Sequence, residues 1–440
     1  MSRGIIIAAP NSGSGKTTIT LALLRALKRR GVVVKSAKAG PDYIDPAYHA
    51  AASGDTCTNL DTWAMSTHTQ KILIDRLERD SALVVAEGVM GLFDGAPDGA
   101  GSAASLARRT GWPVVLVVDA SGMAASVAAL VHGFASFNPE VRIAGVILNR
   151  VGSDKHADLL ERSLANSGVK VLGSVLRARE LALPERHLGL VQAREHPNLE
   201  QFLEHAADRI SASLNVDALI DLADTANAGL TGQLSPLPVL GQHIAIAYDD
   251  AFAFCYPYVI DAWQQRGCTV SFFSPLADAI PNANCDAIYL PGGYPELHAG
   301  RLATARAFKS AVAECARRNC VIYGECGGYM VMGESLIDAD GEAHTMTGLL
   351  PLETTFASRK LSLGYRQVEL EHDGPLGPHG TVFRGHEFHF ASTVRAGACQ
   401  ALFKTFNASL EPLGDNGLRQ GNCFGSFIHL VDSVTNHHAR

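Results

Sequence analysis

The sequence predicts an α/β protein of two domains, each built on a largely parallel sheet. Its 440 residues exceed what one hydrophobic core usually holds. Short apolar, β-branched runs alternate with helical stretches over residues 4–209, and the alternation restarts at residue 242. The intervening stretch is rich in Gly, Pro and small residues. We therefore expect a first domain at 1–213, a linker at 214–241 and a second domain at 242–440.

The strands of both domains are predicted from short runs rich in apolar, β-branched residues. Such runs, separated by helices, are typical of a parallel sheet covered on both faces. In the first domain they are GIIIAA from Gly4, GVVVKSAK from Gly31, SALVVAEG from Ser81, PVVLVVDA from Pro113, IAGVILN from Ile143 and VKVLGSV from Val169. In the second they are HIAIAYD from His243, TVSFFSP from Thr269, AIYLPGG from Ala287 and CVIYGEC from Cys320.

A phosphate-binding loop follows the first strand and precedes a helical run. Backbone N–H groups and the helix N-terminus would face an anion, a lysine would reach the β/γ-phosphates, and a threonine hydroxyl would ligate Mg²⁺. The usual pattern begins with glycine, whereas Pro10 stands at that position here and fixes φ. The alternative is a Gly/Ser turn with a solvated lysine. The residues expected to bind ATP are Gly13, Ser14, Gly15, Lys16, Thr17 and Thr18.

Two acidic loops after the second and third predicted strands are candidates for a magnesium site. Ligands of open parallel sheets bind beyond the carboxyl ends of the strands, and carboxylates suit hard Mg²⁺. We expect Asp45 and Glu87 to ligate the metal together with Thr17. Asp42 and Asp45 also stand beside prolines, where such residues often form turns, and Asp94 fits either role.

Asn149 ends the strand IAGVILN and is a candidate for ATP binding. Its amide is placed to hydrogen-bond an adenine edge. An asparagine at a strand end is also a common turn former, so both interpretations stay open.

A cysteine nucleophile is predicted in the second domain. The segment 321–330 reads as a strand, a tight turn at Cys326 and a helix, which is the pattern of a nucleophile elbow. A helix N-terminus lowers a thiol pKa and favours the thiolate. Gly292 and Gly293, after an earlier strand, leave backbone N–H groups free for an oxyanion. His429 would act as the general base.

Each of these residues has a structural alternative. A lone buried cysteine is usually a small hydrophobic residue, and a lone histidine is usually part of a core. His386 and His389 compete with His429 as base. Their H-E-x-H spacing differs from the H-E-x-x-H zinc pattern, which argues against a metal there. The three elements occur together in the expected context, which favours catalysis.

Composition narrows the class of protein further. Hydrophobic residues make up 47% and charged residues 18%, with a net charge of −7 and no Lys/Arg run, so we expect neither nucleic-acid nor membrane binding. The nine cysteines form no C-x-x-C pair, which favours a reducing compartment. The first apolar run breaks at Pro10 and reads as a buried strand rather than a signal peptide. We expect a cytoplasmic enzyme, and a homodimer stays open.

Several of these segments together resemble the cobyrinate and hydrogenobyrinate a,c-diamide synthases of corrin biosynthesis. The resemblance runs from about residue 4 to residue 432 and includes long, specific motifs. That family is similar to dethiobiotin synthetase in its first half and to class I, flavodoxin-like glutamine amidotransferases in its second. The segments are GSGKTT, KAGPDYIDP, NLD at 59–61, EGVMGLFDG, LPERHLGL at 183–190, YLPGGYPELHA, YGECGGYM and RGHEFH.

The resemblance implies that ATP phosphorylates a carboxylate of a tetrapyrrole and that ammonia from glutamine attacks the acyl phosphate. The a and c carboxylates would be amidated in successive cycles. Cys326 would form the glutamyl thioester with His429 as its base. By the same resemblance, the residues that would handle ATP, Mg²⁺ and the activated carboxylate are Lys16, Thr17, Asp45 and Glu87. Class I amidotransferases commonly carry a glutamate two residues after the histidine, where this chain has Val431. The group that orients His429 is therefore unassigned from sequence.

Three alternatives remain beside this interpretation. The substrate could be another tetrapyrrole acid, as for a nickel-sirohydrochlorin a,c-diamide synthase or an enzyme like cobyric acid synthase. A regulatory or partitioning P-loop ATPase would carry a degenerate second domain, whereas Cys326 is intact. A cysteine peptidase with a nucleotide-sensing domain would need no ATP for its chemistry.

Overall fold

The computed structural model describes residues 3–79, 81–186, 189–225 and 230–434. Two members of the LPERHLGL segment, His187 and Leu188, lie outside the described residues, as do residues 226–229 of the expected linker. The chain divides into two compact units. One comprises residues 1–63 and 67–232, and the other residues 64–66 and 233–440.

The first unit alternates strands and helices as the apolar runs predict. Its strands are β1 Arg3–Ala8, β2 Val34–Ala39, β3 Thr58–Leu60, β4 Leu83–Glu87, β5 Val114–Asp119, β6 Ile143–Val151, β7 Lys170–Leu176, β8 Glu185–Arg186 and β9 Gly189–Leu190. Its helices are α1 Lys16–Arg29, α2 Ile44–Ser53, α3 Thr67–Arg79, α4 Ala103–Thr110, α5 Ser126–Phe137, α6 Asp154–Leu164, α7 Leu199–Ser213 and α8 Val216–Leu222.

The main sheet of this unit is parallel, in the order β3-β2-β4-β1-β5-β6-β7. All six strands predicted from apolar runs are present. Every residue of β4 is buried, as a strand covered on both faces requires. The sequence prediction missed β3, because three residues are too few to show a periodic pattern. All strand ends that carry predicted site residues therefore open at one edge of the sheet.

The segment expected to be a linker contains regular structure. Helix α8 falls within residues 214–241 and packs on β6 and β7. Val216 and Leu219 are buried, which explains why this stretch folds onto the first unit. The isolated bridge between Gly4 and Asp224 ties the following residues to the start of β1.

The second unit contains a larger, mixed set of strands. They are β10 His243–Ala247, β11 Thr269–Phe273, β12 Ala287–Leu290, β13 Val321–Glu325, β14 Ser335–Ile337, β15 Ala343–Thr345, β16 Leu352–Thr355, β17 Ser362–Leu370, β18 Val382–His389, β19 Ser392–Ala396, β20 Gln400–Phe406, β21 Pro412–Gln420, β22 Cys423–Ser426 and β23 His429–Ser433. Its helices are α9 Pro257–Gln265, α10 Ala299–Thr304, α11 Arg306–Arg317 and α12 Gly327–Met332.

The principal sheet of the second unit runs in the order β11-β10-β12-β13-β22-β21-β20-β17-β18-β23. The first five strands in this order are parallel, and the four predicted from the sequence are among them. The remaining pairings are antiparallel and were not predicted. Strands such as β21, with the sequence PLGDNGLRQ, carry no apolar run that would reveal them.

Pairing in this sheet brings distant residues together. Leu290 of β12 lies opposite Gly324 of β13, so the loops after these two strands emerge side by side. His386 of β18 lies opposite His429 of β23. Among the described helices, none combines the length and the apolar character that crossing a bilayer requires.

Candidate functional site

The phosphate loop has the geometry that its sequence predicts. It joins β1 to α1, and Gly13 and Gly15 adopt φ values of 78° and 86°, the left-handed region that favours glycine. Lys16 begins α1 and is only 8% exposed. Burial lowers the pKa of Lys16, and the nearby ammonium of Lys38 lowers it further. The Thr18 hydroxyl donates to the carbonyl of Leu181, at 3.4 Å.

Asn149 lies against this loop rather than away from it. Its Nδ2 donates to the carbonyl oxygen of Ser14 at 2.9 Å, and a Cβ atom on Gly15 would lie 2.3 Å from that nitrogen. The amide therefore holds the loop in place and explains why position 15 must be glycine. A contact with adenine stays a prediction, and this loop contact is a role that the sequence did not indicate.

Four ionisable groups and one hydroxyl meet at the carboxyl ends of β2 and β4. The Thr17 hydroxyl donates to Oε1 of Glu87 at 2.6 Å. The Lys38 ammonium donates to the same oxygen at 2.9 Å and to Asp45 at 2.5 Å. His49 lies 2.6 Å from the other oxygen of Glu87. The structure thus brings Thr17, Asp45 and Glu87 together, as the sequence predicts.

The charges of this cluster are balanced internally, which explains how they tolerate burial. Burial disfavours ionised Glu87, but Lys38 and His49 hold its pKa well below the usual range. Burial also opposes a charged His49, yet Cys57 and Glu87 raise the pKa of His49 to about 10. Lys38, buried between two carboxylates, has a raised pKa and stays protonated. Glu87 is therefore a carboxylate held by a cation on either side.

Two other acidic residues form turns. Asp42 accepts hydrogen bonds from the backbone N–H groups of Ile44 and Asp45, at 2.7 and 3.3 Å. Burial and then the neighbouring Asp45 raise the pKa of Asp42 to about 7. Asp94 accepts from the N–H of Gly91 at 2.9 Å. Of the interpretations left open for these loops, turn formation describes Asp42 and Asp94, whereas the Asp45 carboxylate belongs to the charged cluster.

The second unit places Cys326 on the predicted elbow between β13 and α12. Its φ of 46° is rare for a residue with a side chain, so the turn holds the backbone in a strained conformation. Small neighbours permit this turn. A Cβ atom added to Gly328 would lie 1.8 Å from the carbonyl oxygen of Leu290. A Cβ atom added to Gly324 would lie 2.9 Å from the backbone nitrogen of Tyr329.

Gly292 lies between the thiol and the histidine. A Cβ atom on Gly292 would lie 2.4 Å from Cε1 of His429 and 3.3 Å from Cβ of Cys326. Gly293 also packs beside the elbow. A Cβ atom added to Gly327 would lie 3.0 Å from the backbone nitrogen of Gly293. The predicted oxyanion region, nucleophile and base thus converge at one point in this unit.

The expectation of a lowered thiol pKa at Cys326 is wrong for the free protein. Burial raises the pKa of Cys326, and the carboxylates of Glu296, Glu325 and Glu387 raise it further. The N–H of Gly327 acts in the opposite direction but is outweighed. The side chain sits in a closed, acidic pocket, and α12 is only six residues long. The thiol therefore needs a base to remove its proton.

Of the three candidate histidines, His429 is the one beside Gly292 and Cys326. His386 stacks on it with ring centroids 4.8 Å apart, and Nε2 of His386 lies 3.1 Å from the Tyr256 hydroxyl. His389 is occupied elsewhere, 2.9 Å from Glu387 and 3.0 Å from the carbonyl of Ala391. The structure therefore favours His429 as the base.

Three residues near these sites were not assigned by sequence reasoning. Lys38 could have been suspected, because it ends a strand at the start of the KAGPDYIDP segment. His49 gives no signal in the sequence, since a single histidine in a helix has no pattern. Glu325 directly precedes Cys326, the predicted nucleophile, yet only the structure shows that Glu325 lies 3.7 Å from His429.

Two family models match the chain, one in each unit. The CobQ/CobB/MinD/ParA nucleotide binding domain matches residues 5–191, and the CobB/CobQ-like glutamine amidotransferase domain matches residues 243–436. These matches agree with an ATP-using half and a glutamine-using half.

Curated relatives named hydrogenobyrinate a,c-diamide synthase match almost the whole chain, among them proteins from two Brucella species and from Rhizobium meliloti. The protein from Brucella anthropi is 54% identical, covering 98% of either chain. The protein from Brucella abortus is 56% identical with the same coverage. The protein from Rhizobium meliloti is 50% identical and covers 98% of this chain and 99% of its own. On this identity over its full length, the chain belongs to the hydrogenobyrinate a,c-diamide synthase family.

Proposed function

We propose that this protein amidates the a and c side-chain carboxylates of hydrogenobyrinate, using ATP to activate each carboxylate and glutamine to supply the nitrogen. The observation that carries the proposal is that one chain holds two complementary sites. One unit has a phosphate loop beside a charged cluster, and the other has a cysteine and a histidine on either side of Gly292. Ammonia released from glutamine would be the nucleophile that an acyl phosphate requires.

Release of ammonia follows from the arrangement around Cys326. His429 takes the thiol proton, and the thiolate attacks the side-chain carbonyl of glutamine. The oxyanion that forms is stabilised by backbone N–H groups near Gly293 and Gly327. His429 then gives its proton to the departing ammonia, which leaves a glutamyl thioester. Water hydrolyses the thioester to glutamate and restores the thiol.

Activation of the substrate takes place at the phosphate loop. The carboxylate oxygen attacks the γ-phosphorus of ATP, and ADP leaves with the electron pair of the broken bond. Lys16 and the loop N–H groups bind the phosphates and stabilise the charge that moves onto ADP. Ammonia then attacks the acyl carbon, phosphate departs, and the nitrogen loses a proton to give the amide. Asn149 supports this step by fixing the loop through Ser14.

The residues at this site fit a magnesium ion. The hydroxyl oxygen of Thr17 and a carboxylate oxygen of Glu87 lie 2.6 Å apart. Hard oxygen donors of this kind are what Mg²⁺ prefers. Asp45 is linked to Glu87 through Lys38 and adds a second carboxylate. When bound, the ion would neutralise phosphate charge during transfer.

Mass spectrometry tests the proposal directly. Hydrogenobyrinic acid and cobyrinic acid are incubated separately with the protein, ATP, Mg²⁺ and glutamine. Each amidation replaces a hydroxyl with an amino group and lowers the mass by about one unit. We expect two successive losses on hydrogenobyrinic acid that require ATP. Two losses on cobyrinic acid alone would move the substrate to the cobalt-containing ring. No loss on either ring, with glutamine still hydrolysed, would point to another tetrapyrrole acid.

A further inference from the structure

We propose that Glu325 is the positioning residue of the glutaminase site, holding the imidazole of His429 so that it accepts the Cys326 proton. The inference rests on the proposed glutaminase function and adds a third member to it. Val431, two residues after His429, is apolar and cannot orient the ring. Glu325 reaches the ring from a different strand, immediately before the nucleophile in sequence.

The two ring nitrogens of His429 lie near different groups. Nε2 lies on the side of Gly292, 3.2 Å from where a Cβ of that glycine would be, and Cys326 flanks the same glycine. Nδ1 lies 3.7 Å from Oε2 of Glu325. Both side chains are only 1% exposed, so little water screens the interaction. The ring therefore bridges the nucleophile on one side and a carboxylate on the other.

Glu325 is itself held in place by three donors. Its Oε1 accepts from the backbone N–H of Leu430 at 3.0 Å and from the Tyr323 hydroxyl at 2.6 Å. Its Oε2 accepts from the Tyr289 hydroxyl at 2.7 Å. Burial, followed by Glu325, raises the pKa of both tyrosines well above the usual value, so they remain donors. Such a clamp fixes a carboxylate before the reaction starts.

The bond to Leu430 links the carboxylate to the histidine strand directly. Leu430 follows His429 on β23, while Glu325 ends β13, and the two positions are 105 residues apart. A change in the position of Glu325 would therefore be transmitted to the backbone beside His429. The 3.7 Å separation is longer than a hydrogen bond, and catalytic contacts commonly shorten when substrate binds.

Two other ionisable groups close to the glutaminase site differ from Glu325 in their partners or their charge. The Glu387 carboxylate is paired with Arg366 at 2.8 Å and with His389 at 2.9 Å. His386 stacks on the His429 ring and carries no negative charge. Burial, His429 and Arg366 lower the pKa of His386 well below its usual value, which keeps it neutral. Glu325 is the carboxylate that the structure places 3.7 Å from Nδ1 of His429.

The proposed role balances protons without consuming Glu325. The thiol proton moves to Nε2 of His429, and the ring becomes a cation. The Glu325 carboxylate stabilises that cation and keeps Nδ1 protonated, so that Nε2 is the nitrogen available to the thiol. The proton then passes to the departing ammonia, so that Glu325 neither gives nor takes a proton in the cycle.

The variant Glu325→Gln tests this role, because it removes the charge and preserves the shape. We expect kcat for glutamine hydrolysis to fall on the order of 100-fold, with the KM for glutamine unchanged. Amidation driven by ammonium salts should persist. The rate at which iodoacetamide alkylates Cys326, followed by mass spectrometry of that peptide, should also fall. Glu353→Gln is the matched control, because Glu353 accepts from Ser335 at 2.6 Å on β16 and should leave all rates unchanged.

A double-variant cycle separates positioning from a structural role. If Glu325 acts through His429, adding Glu325→Gln to His429→Ala should cause no further loss of hydrolysis. An additive loss, or near-normal hydrolysis and alkylation in Glu325→Gln, would overturn the inference. If Glu325→Gln does not fold, the same rates are measured in Glu325→Asp. The shorter aspartate side chain keeps the charge but holds it farther from the His429 ring. An unchanged kcat in Glu325→Asp would then refute the role.

These outcomes can be distinguished from failure of the proposed function. If the wild-type protein hydrolyses glutamine but amidates neither ring, the substrate is wrong and the Glu325 comparison is unaffected. If it hydrolyses no glutamine, the glutaminase proposal fails, and the alkylation rate of Cys326 still reports whether Glu325 promotes the thiolate.

Discussion

Thr17 donates a 2.6 Å hydrogen bond to Glu87, although 70 positions of sequence separate the two residues. Parallel pairing explains the contact. Strand β1 lies beside β4, with Ile7 opposite Glu87, so the end of β4 reaches the start of α1. Strand β2 lies on the other side of β4 and places Lys38 opposite the same glutamate. The carboxylate of Glu87 thus connects the phosphate loop to the acidic loops.

Replacing Lys16 with Ala should remove ATP-dependent amidation with either glutamine or ammonium as nitrogen source. The ammonium of Lys16 is the cation expected at the transferred phosphate, and its loss should lower kcat/KM on the order of 100-fold. Glutamine hydrolysis, assayed as glutamate release, should continue. Near-normal amidation would contradict the assignment of the phosphate loop.

Asp45→Asn should impair amidation by about tenfold or more, with a smaller effect on glutamine hydrolysis. The change removes one of the two carboxylates that hold Lys38 and one expected to serve Mg²⁺. The readout is amide formation titrated with Mg²⁺. Asp94→Asn is the control, because an asparagine oxygen can still accept from the Gly91 N–H. Equal effects of the two substitutions would return Asp45 to the role of turn former.

His49→Gln should destabilise the protein in a pH-dependent manner. Cys57 and Glu87 outweigh burial and raise the pKa of His49 from 6.5 to about 10, so the folded state holds the proton more tightly than the unfolded state. The stabilisation is complete below about pH 6.5 and disappears as pH rises through about 10. We expect the variant to melt on the order of 5 °C lower at pH 6 and to approach the wild type near pH 10. A difference that grows with pH would contradict this sign.

Cys326→Ala should abolish the use of glutamine while sparing the use of ammonia. Without the thiol no glutamyl thioester forms, and hydrolysis should fall by about 1,000-fold or more. Amide formation from ammonium salts at raised pH should stay close to the wild-type rate, because the phosphate loop is intact. Loss of both activities would show that the two roles are not separable in this chain.

Gly292→Ala should inactivate glutamine hydrolysis by displacing His429. The new methyl group would lie 2.4 Å from Cε1 of the ring, so the ring must move. Displacing a catalytic group by about 1 Å costs on the order of 100-fold in rate. Gly300→Ala is the control, because its methyl group would lie 3.8 Å from the nearest neighbour, an ordinary contact. Full activity of Gly292→Ala would place the base elsewhere.

The parallel strands and the two motif loops were predictable because their signals are local. An apolar run such as Ile5–Ile7 indicates a buried strand. The segment GSGKTT after such a run is typical of a phosphate-binding loop. The antiparallel half of the second sheet was not predicted, because strands such as β21, with the sequence PLGDNGLRQ, carry no apolar run. The histidines illustrate the same limit. The sequence favoured His429 and left His386 and His389 as competitors, and only the pairing of β18 with β23 shows that His386 lies opposite His429.

The sequence by itself determined the α/β class and the order of the two kinds of domain. It also named the candidates for the nucleophile, the phosphate loop and the acidic residues. Each of these depends on residues adjacent along the chain. Tertiary structure alone decided which groups meet. Lys38 and His49 neutralise Glu87, Asn149 supports the loop, and Glu325 faces His429. Those contacts join residues far apart in sequence, and their energies depend on distance and burial, which a linear pattern does not contain.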